Sequence, residues 1–476
     1  MIEQGDAVRP RTGRPPIYAT QGVISSGHYL TSMAGMRMLL SGGNAFDAVV
    51  AAGFAAAVVE PIAAYSLAAE GVFMLYDAQS GQMLSLSGQG VAPGKATIEF
   101  YKSHGVDAIP TGPGKQAPLS FTVPGVVDAF ISLLERFGIK SLGEVLAPAI
   151  HYAEYGIPHY EYMIQRLGYA VTKTQWGHFP PGGSEIFFDN GELPRPGAML
   201  VQRSLARTLK KLVEAENAAV GGRAERIKAG RDQFYKGEIA ELIVKSAQSV
   251  GGILSKEDLA TYSAQYEEPI KGTYKGYEIY GQSSWTQGPM LMQTLNILEN
   301  FDLKGMGHNS PQYIHTIIEA LKLDFADRVA YYADPDFSTF PIDGLLSKEY
   351  AAKRAKLIDR DSSYPALPPP GDPWKHSKFS GKAAAPVAAT ATEGVPGGES
   401  SGTTHISVID RDGNLVCATP SGGSFGKSVF FPELGCALST RIEMFNLQEG
   451  HPNAVAPGKR PRTTLINYIV SKDGKP

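Results

Sequence analysis

The sharpest break in this 476-residue chain falls between Gly402 and Thr403. From about Arg360 to Gly402 the composition is dominated by Pro, Ala, Gly, Thr and Ser, in runs such as ALPPPGDP and GKAAAPVAATATEGVPGGESSG. Such a stretch buries too little apolar surface to offset the entropy of ordering it, and is expected to be a flexible arm. Directly after it, GTTHISVID turns to a strand pattern, Arg411 to Asn414 supplies a DG turn, and Leu415 to Thr419 returns. The pattern is a β-hairpin with Thr403 at its leading edge. A threonine freed at that point would carry its own base, the new α-amine. If the chain is cut between Gly402 and Thr403, it falls into two regions, 1–402 and 403–476, and the second opens on a self-contained nucleophile.

Composition narrows the partners. With 43% hydrophobic residues the chain can bury a large core, and its length suits roughly two to three domains or one large α/β unit. The formal net charge of −3 gives no basis for binding nucleic acid or an anionic membrane, so small molecules are the expected partners. The N-terminus MIEQGDAVRPRTGRPP lacks the apolar stretch of a signal peptide, which makes the cytoplasm the default location. Only Cys417 and Cys436 occur. They could form one disulfide, but their apolar strand contexts, VCAT and GCAL, favour two reduced thiols. The ten histidines form no HExxH or other compact ligand spacing, so neither a metal nor another cofactor is expected.

The longest apolar run, Ala45 to Val59, is Ala-rich and too short for the roughly 20 residues of a membrane span. Asn44 can cap it and Asp47 suits its first turn, so it is expected to be a helix buried on all sides. Residues 71 to 86 read as a hairpin turning near Ser80-Gly81, and Val127 to Phe137 and Pro311 to Tyr332 read as helices. In the latter, Ile314, Ile317, Ile318 and Leu321 recur at helical spacing and are expected in the core. Helices flanking sheets define an α/β (α+β) fold class. Near the end, Asn467 to Val470 reads as a strand and SKDGK as the turn after it, with no return strand before Pro476. A C-terminal part is expected to be missing.

Several ordered stretches, GGNAFDAVVA, VAPGKAT, TVPGVVDAF, FYKGEIAELIV, GGILSKEDLATY, TTHISVIDRDGN and APGKRPRT among them, resemble the γ-glutamyltransferase (γ-glutamyltranspeptidase) family of N-terminal-nucleophile hydrolases. The resemblance implies a four-layer αββα sandwich, made as one precursor and self-cleaved between Gly402 and Thr403 into two associated fragments. It further implies Thr403 as nucleophile, Ser421 as the hydroxyl that orients it, and a maturation role for Thr419. Thr463 and Thr464 take the place of the family's serine pair and are expected to bind substrate. The family's oxyanion glycines lie beyond the strand at which this sequence stops.

The chain also departs from that family. The arginine that clamps the glutamyl α-carboxylate aligns with Ile98, an asparagine becomes Gly423, and the acid that holds the α-ammonium becomes Met444. A bidentate arginine contact has no apolar substitute. A glycine-rich stretch is replaced by SLAAEG with Glu70 intruding, and the segment NLQEGHP is short where relatives carry a lid. Arg441 stands where a glutamine or glutamate is usual. It either binds a substrate carboxylate or acyl oxygen, or pairs with Glu443 or another surface carboxylate. His405 is expected to make a structural hydrogen bond, because the amine already provides a base.

Two local motifs carry little. GGSFGKS at 422–428 follows a hairpin strand rather than opening a βαβ unit, and the SxxK match at Ser424 to Lys427 is common by chance. FADR at 325–328 is expected to close an ion pair. The expected function is a self-processed amide hydrolase or acylase on a small amide other than an ordinary γ-glutamyl compound. The alternatives are a true γ-glutamyltranspeptidase or glutathione hydrolase, and an unprocessed, silent binding homologue.

Overall fold

The computed structural model describes residues 16–379 and 402–476. Its centre is an antiparallel six-stranded sheet in the order Gly22–Ser26, Ile406–Asp410, Leu415–Ser421, Glu70–Asp77, Gln82–Gly88, Gln265–Glu267. Both expected hairpins are present and lie side by side. Register sets Thr419 opposite Val72 and Ser421 opposite Glu70.

Alternation along one strand explains the layering. In Glu70–Asp77, Phe73 and Leu75 point into a core shared with helices, whereas Val72 and Met74 point the other way. On that second side Met74 and Cys417 meet Ile469, and Val72 meets Trp285 and Leu465. Ile469 belongs to a three-stranded antiparallel sheet of Ile270–Tyr274, Tyr277–Gly281 and Tyr468–Lys472. The helices Gly288–Leu298, Pro311–Tyr331 and Lys348–Ala355 pack together against this smaller sheet. The four layers are thus helix, sheet, sheet, helix, as expected. Among the described residues, no helix is long and apolar enough to cross a membrane.

All fifteen residues of the Ala45–Val59 helix are buried. Its start is fixed twice. The Asn44 side chain accepts from the backbone of Phe46 and Asp47 while the Asp47 carboxylate accepts from Asn44 N, a reciprocal capping box. Asp410, at the end of the strand after Thr403, accepts from Ala45 N at 2.9 Å, setting a negative charge at the helix N-terminus. Gly53 is required for close packing, since a Cβ there would lie 2.0 Å from the Phe130 ring.

Two expectations are corrected. Ile314 and Ile318 are 45% and 46% exposed, and the buried side of the Pro311–Tyr331 helix is instead Thr316, Glu319, Ala320, Leu323, Asp324 and Asp327. Polar side chains occupy that side because each finds a partner: Glu319 accepts from Lys322, Asp324 from Thr294, and Asp327 from Tyr350 and Arg354. Ile317 and Leu321 are half-buried, and Ile317 packs against the cluster of Ile297, Leu298, Ala320 and Leu323, so the expected stripe lies at the edge of the buried side and only Ile314 and Ile318 face outward. The second correction concerns the arm. Residues 360–379 are stitched to the core: Tyr364 N donates to Glu319, Gly371 N to Asp327, and Tyr331 OH to the Gly371 carbonyl. Satisfied backbone groups hold this stretch, together with buried Pro373 and with Trp374 packed against the cluster around Tyr331, Leu345 and Tyr350. The remainder of the expected arm, 380–401, lies outside the described residues.

Candidate active site

Two hydroxyls converge on one carbonyl. Thr403 Oγ1 donates to the Gly402 oxygen at 2.6 Å, Ser421 Oγ donates to the same oxygen at 3.2 Å, and the two hydroxyl oxygens lie 3.3 Å apart. Adjacency of the strands Ile406–Asp410 and Leu415–Ser421 creates the meeting, because Ser421 ends the strand that pairs with the one Thr403 leads into. Thr403 is exposed and Ser421 is buried. Such donation polarises the carbonyl and holds the threonine oxygen close to it.

The chain is gripped on both sides of Thr403 by one turn that follows the buried helix. Thr404 Oγ1 donates to Glu60 Oε2 at 2.9 Å, and Thr31 Oγ1 donates to Glu60 Oε1 at 2.6 Å. Glu60 is buried, which pushes its carboxyl above the ordinary value, while the two hydroxyl donors oppose the shift. On the other side Gly402 lies against the backbone of Ala63, where a Cβ would come within 2.8 Å of the carbonyl carbon. Sequence reasoning missed Glu60. Its signal was an acid directly after a helix whose one charged residue is the capping Asp47.

Thr419 does not join this group. Its hydroxyl contacts His405 Nδ1 at 2.8 Å, Asn467 Oδ1 at 2.7 Å and the Ile466 carbonyl at 3.0 Å, which ties the large sheet to the segment before Tyr468–Lys472. His405 also reaches Ser407 Oγ at 2.8 Å, giving it the structural bonding expected of it.

Thr403 and Ser421 open on a cleft of about 1150 Å³. Gly423, Met444, Arg441 and Thr464 line it, whereas Thr463 is buried with its hydroxyl accepting from Leu465 N. The threonine pair therefore splits, with only Thr464 facing the cleft. Gly423 has φ +86°, and a Cβ there would lie 2.7 Å from Ser66 Oγ, so no side chain can extend from this position. Ile98 is not among the cleft-lining residues. It lies in a separate depression with Thr97 and Glu99, and Lys102, one helical turn onward, is the residue that reaches the cleft. Arg328, within FADR, also lines the cleft, while its neighbour Asp327 makes the expected ion pair, with Arg354.

Arg441 pairs with neither Glu443 nor a surface acid. Its Nε donates to Glu70 Oε1 at 2.7 Å, and Glu70 is fully buried. Burial pushes the Glu70 carboxyl up, and Arg441, Ser439 and Thr122 pull it back. Glu443 is taken by Lys427 Nζ at 3.0 Å. The GGSFGKS stretch leads to the short strand Phe430–Phe431 and not to a helix, so it lacks the helix N-terminus on which a phosphate loop depends. Cys417 and Cys436 are buried and unpaired, and burial pushes both thiols up to about 12.

A helix–sheet–sheet–helix sandwich with a hydroxyl residue leading a central strand into a cleft is the scaffold of N-terminal-nucleophile hydrolases. The sequence profile described as gamma-glutamyltranspeptidase matches residues 31–476, and the chain belongs to that family. It is 34% identical over 475 residues to the glutathione hydrolase proenzyme of Escherichia coli strain K12, covering 97% of this chain and 74% of that one. To the Acylase ACY 1 proenzyme of Pseudomonas sp. strain SE83 it is 33% identical over 476 residues, covering 97% and 76%. The crystal structure of cephalosporin acylase from Bacillus halodurans superposes with a TM-score of 0.81 at 29% identity, covering 100% of this chain and 80% of that one.

Proposed function

We propose that the protein is an N-terminal-threonine amide hydrolase, matured by cleavage at Gly402–Thr403, whose acyl substrate is not an ordinary γ-glutamyl group. The observation that carries this reading is the convergence of Thr403 Oγ1 and Ser421 Oγ on the Gly402 carbonyl. In maturation Thr403 Oγ attacks the Gly402 carbonyl carbon, the peptide bond breaks, and the hydroxyl proton ends on the Thr403 nitrogen. Water then cleaves the resulting ester, freeing the Gly402 carboxylate, the Thr403 hydroxyl and its α-amine. In turnover the same oxygen attacks the substrate amide, the α-amine takes its proton and passes it to the leaving amine, and water resolves the acyl-enzyme. Ser421 orients the nucleophile in both reactions.

Relatives named both as glutathione hydrolases and as acylases support amide hydrolysis as the reaction class. Met444 and the side-chain-free Gly423 in the cleft support an acyl group other than γ-glutamyl. Denaturing electrophoresis with intact-mass analysis tests the reading. Wild type is expected as two fragments, the second starting at Thr403, and as one uncleaved chain in Thr403→Ala. An uncleaved, inactive wild type would instead support a silent binding homologue.

A further inference from the structure

Two strips of chain run along the cleft wall from the nucleophile to the cleft mouth. One begins with Ser439, which abuts the turn after Ser421, since a Cβ on Gly422 would come within 2.8 Å of Ser439 Oγ, and it continues through Met444 and Leu447 to Glu449. The other begins where Gly112 meets the Lys427 backbone, and it runs back through Ile109 and Val106 to Lys102. Lys427 pairs with Glu443 at 3.0 Å near the inner ends, and Lys102 pairs with Glu449 at 2.9 Å at the outer ends. Between these two ion pairs both strips present apolar side chains to the cleft.

Those side chains are Val106 and Ile109 on one strip and Met444, Phe445 and Leu447 on the other. Ile109 and Phe445 sit in one buried cluster with Tyr101, Ile442 and Val455, and Val106 and Leu447 pack against it. The cluster is separate from the main core of the sandwich. Asp107, between Val106 and Ile109 in sequence, is exposed. At about 1150 Å³ the cleft exceeds the roughly 300–1,000 Å³ usual for small-molecule sites, so a short acyl group leaves the apolar stretch wet. An alkyl chain laid along it takes apolar surface out of water on both sides, worth about fourfold in affinity for each methylene fully buried.

We infer that the acyl group hydrolysed at Thr403 is an unbranched alkyl chain, and that it lies between Val106 and Ile109 on one side and Met444 and Leu447 on the other. The inference rests on the proposed amidase reading, which sets the acyl group beside Met444. The probes are the p-nitroanilides of acetate, butyrate, hexanoate and octanoate, with γ-glutamyl-p-nitroanilide beside them. In wild type kcat/KM is expected to rise along the series, chiefly through KM, until octanoyl stands at least tenfold above both acetyl and γ-glutamyl. Val106→Ser and Leu447→Ser are each expected to lower the octanoyl-to-acetyl ratio of kcat/KM at least fivefold, whereas Leu447→Met should hold that ratio within twofold. A flat series, a preference for γ-glutamyl over octanoyl, or serine variants that slow both probes equally would overturn it.

Binding to Thr403→Ala separates this inference from the reading beneath it. Calorimetry with acetamide, butyramide and octanamide is expected to give octanamide the tightest binding, at least tenfold above acetamide, with a negative heat-capacity change that marks apolar burial. Such binding with no acylation of Thr403 in wild type would sink the amidase and keep the alkyl groove. Acylation of Thr403 with no dependence on chain length would sink the groove alone. Val106→Thr keeps the shape of the side chain while adding a hydroxyl, so it supplies the measurement if Val106→Ser does not fold.

Discussion

At the scale of single residues, the compositional break pointed to Thr403 alone and the resemblance to Thr403 and Ser421, and folding brings the two hydroxyls within 3.3 Å of each other. Glu60 was not legible, because its importance lies in a contact with Thr404 across 344 residues of chain. Removing its carboxylate would leave two buried hydroxyls without an acceptor, a loss of about 1–3 kcal/mol for each. Glu60→Ala is therefore expected to slow cleavage at Gly402–Thr403 at least tenfold, timed by electrophoresis after synthesis, whereas Glu60→Gln, which keeps an acceptor oxygen, should slow it less. The Glu70–Arg441 pair was illegible for a related reason. Each residue looked like an isolated departure, and only folding places one against the other. Thr463 and Thr464 show the limit of reading by adjacency, since neighbours on an extended chain face opposite ways and just one of them meets the cleft.

At the scale of elements, hairpins and the capped apolar helix followed from turn chemistry and patterning, while the orientation of a long amphipathic helix did not. Ile318 looked like core and is half-exposed, whereas Leu323 is fully buried. Ile318→Lys is expected to change stability by no more than about 0.5 kcal/mol and Leu323→Ala to cost about 2–5 kcal/mol, measured by denaturant unfolding. The loop from Met444 to Asn453 carries a pH dependence of its own. Buried His451 accepts from Asn453 N through Nδ1, and Asn453 in turn holds the Met444 carbonyl and Arg462 N. Burial, with Arg462 and Lys459 nearby, lowers the His451 imidazole from 6.5 to about 4. Because the folded value lies below the unfolded one, the unfolded chain binds the extra proton first as pH falls. Stability is then complete above pH 6.5 and declines toward pH 4, by about 3 kcal/mol for this group. Thermal unfolding from pH 7 to 4 is expected to show this decline in wild type and a shallower one in His451→Gln.

At the scale of the whole molecule, the four-layer architecture was legible through resemblance, and alternation in Glu70–Asp77 gives its physical basis. Composition alone misjudged residues 360–379, because it registers apolar content and not the buried Asp327 and Glu319 that capture the backbone there. The cysteines offer a global probe. Both thiols are buried and held protonated, so a thiol reagent at pH 8 is expected to label neither in the folded protein and both after denaturation, counted by intact mass.

The strand order of the central sheet carries one more consequence. The two strands that follow Thr403 lie between Gly22–Ser26 on one side and Glu70–Asp77 on the other. A cut at Gly402–Thr403 would therefore be a nick in a woven fabric. The pieces could not be traded between molecules like plug-in modules, and one mixed with another preparation's partner would find its place already filled. Each mature molecule would keep for its lifetime the mate with which it was synthesised.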